Sequence, residues 1–242
     1  MTTSNPADAF TPLRRTLEAG ERLVIGQLGQ SLDGRIATVT GHSHYINGPA
    51  ALQHLHALRA HVDAVVVGAG TICADDPQLT VRLASGTSPA RVVLDPSGRV
   101  SPEARCWRDD GVPRLWIRQQ GQEQGENAAL PEGVEMLSLS SQPEGRIAPD
   151  GVLQALTQRG WRKILIEGGA WTVSHFLATG VLNRLHILMG PLIIGSGLPG
   201  LRLPEIDHLD HALRPEVTPH LLNGGDVLFD CDLSKPAEPT NV

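Results

Sequence analysis

Apolar positions along the chain follow two periods, one of strands and one of helices. Residues 22–28, RLVIGQL, form an apolar run of strand length. At 64–67 Ala-Val-Val-Val runs continuously into Gly68, a pattern that predicts a strand covered on both faces. Residues 91–94, 114–117 and 163–167 read as further strands, the last built on Ile164, Leu165 and Ile166. Three segments keep helical spacing. Residues 48–60 place Ala51, Leu52, Leu55 and Leu58 on one face, with Asn47 as the expected N-cap and Pro49 in the first turn. Residues 150–159 read as a helix closed by Gly160. Residues 170–179 turn Val173, Phe176 and Leu177 inward, with Gly180 just beyond. Residues 184–194 and 216–232 are strand-like with Gly-rich turns, and 119–128 is a polar surface loop. Helices alternate with strands at first, and strands dominate at the end. The expected class is α/β: a mixed, mostly parallel sheet with helices on both faces and an antiparallel C-terminal edge. The expected organisation is a leader over 1–20, one domain over 21–235 and a tail over 236–242.

Composition narrows the function. The chain has 242 residues and is 40% hydrophobic, enough for a sizeable core without covalent staples. No apolar run reaches about 18 residues, so no membrane span is expected. The first 15 residues lack the basic-then-apolar order of a secretory signal. Cys73, Cys106 and Cys231 are odd in number and far apart, which argues against a disulfide framework and for the reducing cytoplasm. A net charge of −6 and only eight aromatic residues argue against nucleic-acid partners, which need a basic stripe or stacking platforms. An acidic chain binds anions with a few placed arginines and backbone N–H groups.

The most informative local feature is Ile164-Leu165-Ile166-Glu167-Gly168-Gly169 followed by a helix. A buried strand opens through two glycines onto a helix N-terminus, where backbone approaches a ligand closely and N–H groups favour phosphate. Glu167 stands at the carboxyl end of that strand, where α/β sheets place ligands. The alternative is a plain tight turn with a solvated Glu167. A second strand opens the same way at Gly68-Ala69-Gly70-Thr71, with Asp75 beyond; Thr71 and Asp75 suit a cofactor and equally suit turns and caps. Gly195-Ser196-Gly197-Leu198-Pro199-Gly200 matches G-x-G-x-x-G, but Pro199 and Pro204 bar the helix that a dinucleotide fingerprint needs, so it reads as a loop. Among ten histidines, His54 and His56 point to different faces of their helix and cannot chelate jointly, and His42 and His44 lie in a polar loop; no metal is expected. There is no G-x-S-x-G elbow for a serine hydrolase.

The stretches GQSLDGRIA (29–37), GHSHYI (41–46), LRAHVDAVVVGAGTICADDPQLTVR (58–82), RVVLD (91–95), ILIEGG (164–169) and GPLIIG (190–195) together resemble one family. It is the reductase domain of riboflavin biosynthesis, the C-terminal part of the bifunctional deaminase–reductase. The likeness covers roughly residues 20–232 and implies a dihydrofolate-reductase-like three-layer α/β/α fold. It implies NADPH-dependent reduction of the ribosyl group of a 5-aminopyrimidine ribosylamine 5′-phosphate to a ribityl chain. By position, Ser43, Arg59, Arg82 and Glu167 would face this phosphorylated substrate. Glu167 would be the catalytic residue, orienting the sugar and assisting proton transfer. Gln30, Tyr45, Thr71, Asp75, Gly168, Gly169, Ala170, Trp171 and Thr172, on towards His175, would line NADPH. The likeness also implies a cytoplasmic homodimer, paired through the strand-rich C-terminal region. Three departures stand out: Gln27 where bifunctional members often carry Lys, Tyr45 for a frequent Trp, and Ala170-Trp171 for a more usual Pro-Thr. Gln27 and Gln30 are nearer to stand-alone archaeal and fungal reductases. The H-x-E and P-C-x-x-C signature of the zinc deaminase is absent, so no deamination is expected. Two other readings remain open: a reductase of the same fold acting on another heterocycle or carbonyl, and a nucleotide-binding protein without turnover.

Overall fold

The computed structural model describes residues 22–121, 130–141 and 145–236. The expected leader, most of the 119–128 loop and nearly all of the tail lie outside the described residues. Nine strands form one sheet: β1 (Leu23–Ser31), β3 (Ala64–Gly68), β4 (Ala90–Leu94), β5 (Arg114–Gln119), β6 (Glu135–Leu139), β7 (Lys163–Glu167), β8 (Arg184–Gly190), β10 (Pro215–Leu221) and β11 (Val227–Pro236). Their spatial order is β10-β11-β8-β1-β7-β3-β4-β5-β6. From β8 to β6 every neighbouring pair is parallel. β11 runs antiparallel to β8 and to β10, so the expected mixed sheet with an antiparallel C-terminal edge is found. Two short strands, β2 (Arg35–Ala37) and β9 (Leu198–Pro199), pair separately.

Alternation along the central strands builds two cores. Ala64 and Val66 of β3 pack on one face with Val152, Leu153 and Leu156 of α3 (Pro149–Gln158) and Val173, Phe176 and Leu177 of α4 (Ala170–Ala178). Val65 and Val67 face the other way, with Leu58 of α1 (Pro49–His61) and Ala69 and Ile72 of α2 (Ala69–Asp75). Ala64 to Val67 are all fully buried, as a strand covered on both faces must be. Each of the three valines contributes about 1.5–3 kcal/mol on burial.

α1 departs from its sequence reading in two ways. Its N-cap is Gly48, not Asn47, and no side chain of its own caps it. Instead Asp226, buried in the β10–β11 turn, accepts the Gly48 N–H at 3.0 Å. Asn47 turns away and donates to that carboxylate at 2.9 Å and to the Leu188 carbonyl at 3.1 Å. A long-range carboxylate has taken over the cap that the local sequence offered to Asn47. The apolar stripe also divides. Ala51 and Leu58 are in the core, whereas Leu52 is 45% exposed and with Leu55 forms the wall of a cleft.

Candidate active site

The carboxyl ends of β1, β3, β4 and β7 open into one cleft of about 1100 Å³. That exceeds the roughly 300–1,000 Å³ of an ordinary small-molecule pocket, so it has room for two ligands side by side. Leu52, Leu55 and Leu188 wall it at the α1 side. Leu94, Pro96, Arg99, Arg146, Trp171 and Arg202 wall it at the β4 and α4 side.

Two βα turns form the middle of the cleft, and they interlock. Thr71, in α2, accepts the Gly169 N–H through its hydroxyl at 2.6 Å. Gly168 has φ +88°, and a Cβ there would come within 2.7 Å of that hydroxyl. A Cβ on Gly68 would collide with the Thr172 hydroxyl from the opposite turn. Only glycine allows the two turns this approach. The first turn of α4 has no side-chain cap and lies on the cleft wall, which leaves backbone donors there for a ligand. The glycine-walled turns and the uncapped helix fit the pyrophosphate of a nicotinamide dinucleotide.

The family stretches also meet. Ser31 donates to Asp33 at 2.6 Å, and Asp33 accepts the Ile194 and Gly195 N–H groups at 3.1 and 2.6 Å. These bonds, led by Ser31, hold the Asp33 carboxyl at a pKa of about 2. The SLDG turn is thereby clasped to the end of GPLIIG. Asp95, closing RVVLD, is fully buried; it accepts N–H groups from Arg99 and Val100 at 3.0 and 2.9 Å and the Trp116 indole at 3.2 Å.

Of the expected site residues, Ser43, Tyr45, Thr71, Asp75, Gly168, Gly169, Ala170, Trp171 and Thr172 all line the cleft. The Ser43 hydroxyl lies 3.5 Å from Asp75, and Tyr45, at φ +69°, is 92% exposed. Gln30 is not on the wall; its side-chain oxygen packs against Gly200. Arg59 and Glu167 are not on the wall either. They are buried and bound to each other, Arg59 Nε and Nη2 donating to the two Glu167 oxygens at 2.8 and 2.7 Å. Arg59 Nη1 donates to the Thr80 carbonyl at 3.1 Å. Burial opposes the Arg59 charge, but the Glu167 carboxylate outweighs it and raises the Arg59 pKa. Arg82 is exposed and donates to Thr80 Oγ1 at 2.6 Å and Gln78 Oε1 at 3.2 Å. Burial and the charges of Arg59 and Arg105 hold its pKa below the usual arginine range. Its backbone N–H is accepted by His56 Nδ1 at 2.9 Å. Burial, then Arg59 and Arg82, push the His56 pKa down to about 4, in keeping with a neutral acceptor. Neither reading of Glu167 from the sequence foresaw an ion pair.

The RibD C-terminal domain model matches residues 22–214. The chain belongs to the RibD C-terminal domain family. It is 30% identical over 217 residues to the 2,5-diamino-6-ribosylamino-4(3H)-pyrimidinone 5′-phosphate reductase of Methanothermobacter thermautotrophicus, covering 86% of this chain and 96% of that protein. The riboflavin biosynthesis protein RibD of Chlamydia muridarum is 33% identical over 231 residues, covering 92% of this chain. The chain spans 61% of that RibD protein's length. The crystal structure of a Thermotoga maritima diaminohydroxyphosphoribosylaminopyrimidine deaminase/5-amino-6-(5-phosphoribosylamino)uracil reductase superposes with a TM-score of 0.74 at 26% identity, over 90% of this chain and 58% of that one.

Within this RibD-family cleft, sequence reasoning missed Arg99, Arg146 and Arg202. Arg99 stands four residues past the RVVLD aspartate, and Arg146 and Arg202 lie in loops without periodicity. No local signal distinguishes them from surface arginines.

Proposed function

We propose that the cleft is the active site of an NADPH-dependent reductase of riboflavin biosynthesis. Its substrate is a 5-aminopyrimidine ribosylamine 5′-phosphate, whose ribosyl group becomes a ribityl chain. The observation that carries this is a cleft large enough for two ligands, in a chain matching 96% of a stand-alone pyrimidinone phosphate reductase. When bound, the coenzyme supplies a hydride; the protein aligns it with the sugar carbon and shields the pair from water. Opening of the ribosyl ring gives a C1′=N imine with a hydroxyl at O4′. The hydride adds to C1′ and a proton to the nitrogen, leaving a secondary amine.

On this reading the coenzyme lies along Tyr45, Thr71, Asp75 and 168–172, with Gln30 supporting the β1 end from behind the wall. Ser43 and Arg82 serve the substrate, Arg82 offering a cationic fork to its phosphate. Glu167, behind the cleft wall and bound through both oxygens to Arg59, serves the substrate by fixing the start of the Gly168 turn that does line the cleft. Arg59 thus acts by positioning Glu167. The family likeness further supports a cytoplasmic homodimer.

The test is NADPH oxidation with the diamino and the uracil forms of the substrate. Turnover of either, with deuterium from labelled coenzyme appearing on the sugar carbon, is the expected result. Nucleotide binding without turnover of either form would overturn this reading and leave a reductase of another substrate or a binding protein.

A further inference from the structure

Among the described residues, four formally charged side chains line the cleft: Asp75, Arg99, Arg146 and Arg202. A chain of net charge −6 therefore sets three arginines against one acid among the described residues of the cleft. All three arginines lie on exposed segments, at the mouth formed by the β4 and α4 ends. Trp171, 59% exposed, stands among them: the guanidinium carbons of Arg146 and Arg202 lie 5.3 and 5.5 Å from its ring centre. Both distances are inside cation–π range.

Each arginine is carried on an anchored backbone. The Arg99 N–H is held by buried Asp95 at 3.0 Å, and the Arg202 N–H by Ser174 Oγ at 2.7 Å. Arg146 precedes Ile147, which is buried and bridges to Ser141. Stacking on an indole engages the face of a guanidinium, whose five N–H donors along the edge can serve an anion alongside other partners. The indole also attracts two cations that would otherwise repel each other.

The pyrophosphate has its own seat at the glycine turns and the α4 start, so the arginines at the mouth serve a further anionic group. From these observations we propose that Arg146 and Arg202, held by Trp171 and assisted by Arg99, form the seat for the 2′-phosphate of the coenzyme. They thereby select the phosphorylated nicotinamide nucleotide over the unphosphorylated one. This rests on the reading of the cleft as a nicotinamide site and adds the residues that choose between nucleotides. Trp171 is a positioning residue here, acting through the arginines it holds.

Titration calorimetry with NADPH, NADH, 2′,5′-ADP and 5′-AMP tests it without catalysis. The native protein should prefer NADPH to NADH and 2′,5′-ADP to 5′-AMP. Arg146→Ala and Arg202→Ala should each weaken NADPH and 2′,5′-ADP by roughly ten- to a hundredfold, as loss of a charge-assisted bond predicts. NADH and 5′-AMP should change less than about threefold, well inside one hydrogen bond. Trp171→Ala should lower the NADPH/NADH preference, and Trp171→Phe should restore most of it. A double arginine variant that keeps the native preference overturns the clamp while the nicotinamide site stands. A native protein that binds both nucleotides equally overturns it too. If the native protein binds neither nucleotide, the clamp and the reading of the cleft fall together. Both arginines are exposed, and an unchanged unfolding curve confirms that the variants fold.

Discussion

Arg59 and Glu167 form a two-stranded hydrogen-bonded pair with 6% and 4% of their surface exposed. Such a pair adds little over an apolar replacement, but breaking it strands a charge. Arg59→Ala leaves Glu167 unpaired, and Glu167→Ala leaves Arg59 with the Thr80 carbonyl alone. Each should cost about 3–5 kcal/mol in urea unfolding. The double change to Met and Leu should cost less than the two singles added, because it removes both charges together. Arg82→Ala is the contrast. Its guanidinium is exposed and bonded only to neighbouring side chains, so stability should shift by less than about 0.5 kcal/mol. On the proposed function its KM for the phosphorylated substrate should rise roughly tenfold or more, with NADPH affinity unchanged. If Arg59→Ala and Glu167→Ala were as stable as Arg82→Ala, the pair would not be closed in solution.

Among the elements, the βα turn at Gly168 joins sequence to site most directly. The residue sits at φ +88° with Thr71 Oγ1 2.7 Å from any Cβ. Gly168→Ala should therefore cost about 1–3 kcal/mol from the left-handed backbone alone. The methyl should also push Thr71 off the Gly169 N–H, so the thermal shift given by NADPH should shrink. An unchanged shift would mean that this turn is not where the nucleotide rests. The turn was legible in the sequence, since an aliphatic run into two glycines and a helix is a local signal. So were β3, β7 and α4, whose patterns agree with their tertiary surroundings. β6 was not: Glu135-Met136-Leu137-Ser138-Leu139 is half-exposed at the sheet edge and carries no clean alternation. The Asp226 cap escaped notice because its partner is 178 residues away. The Arg59–Glu167 pair escaped for the same reason, being joined only when α1 packs beside β7. The cleft arginines were invisible because loops place them, and loops carry no period.

At the scale of the whole molecule, a buried polar seam ties α1 to the antiparallel edge of the sheet. His54 Nε2 of α1 lies 3.2 Å from His186 Nδ1 of β8, and His186 Nε2 lies 3.2 Å from Asp230 of β11. Arg184 holds Asp230 from the other side at 2.9 and 2.7 Å. Burial, then the neighbouring His186, pushes the His54 pKa down to about 3, with Asp230 pulling the other way and His220 adding to the depression. Burial would raise Asp230, but its bonds to His186 and Arg184 prevail and hold it at about 2. Above pH 6.5 His54 is neutral in both the folded and the unfolded chain, so it gives stability no pH dependence. Below 6.5 the unfolded chain takes up a proton that the folded chain refuses until about pH 3. Stability should then fall as pH drops, by up to about 1.4 kcal/mol per unit from His54. His56, equally buried and depressed to about 4, adds a comparable share of the same sign down to that pH. Asp230 adds its own loss only below about pH 4, once the unfolded carboxyl protonates. Unfolding free energy should thus decline steadily from pH 6.5 to pH 4. His54→Gln removes one of the two protons that drive this decline and should roughly halve the slope across that range, while lowering stability at pH 7 through the lost packing. A variant whose slope matched the native protein's would place the acid sensitivity elsewhere than in this seam.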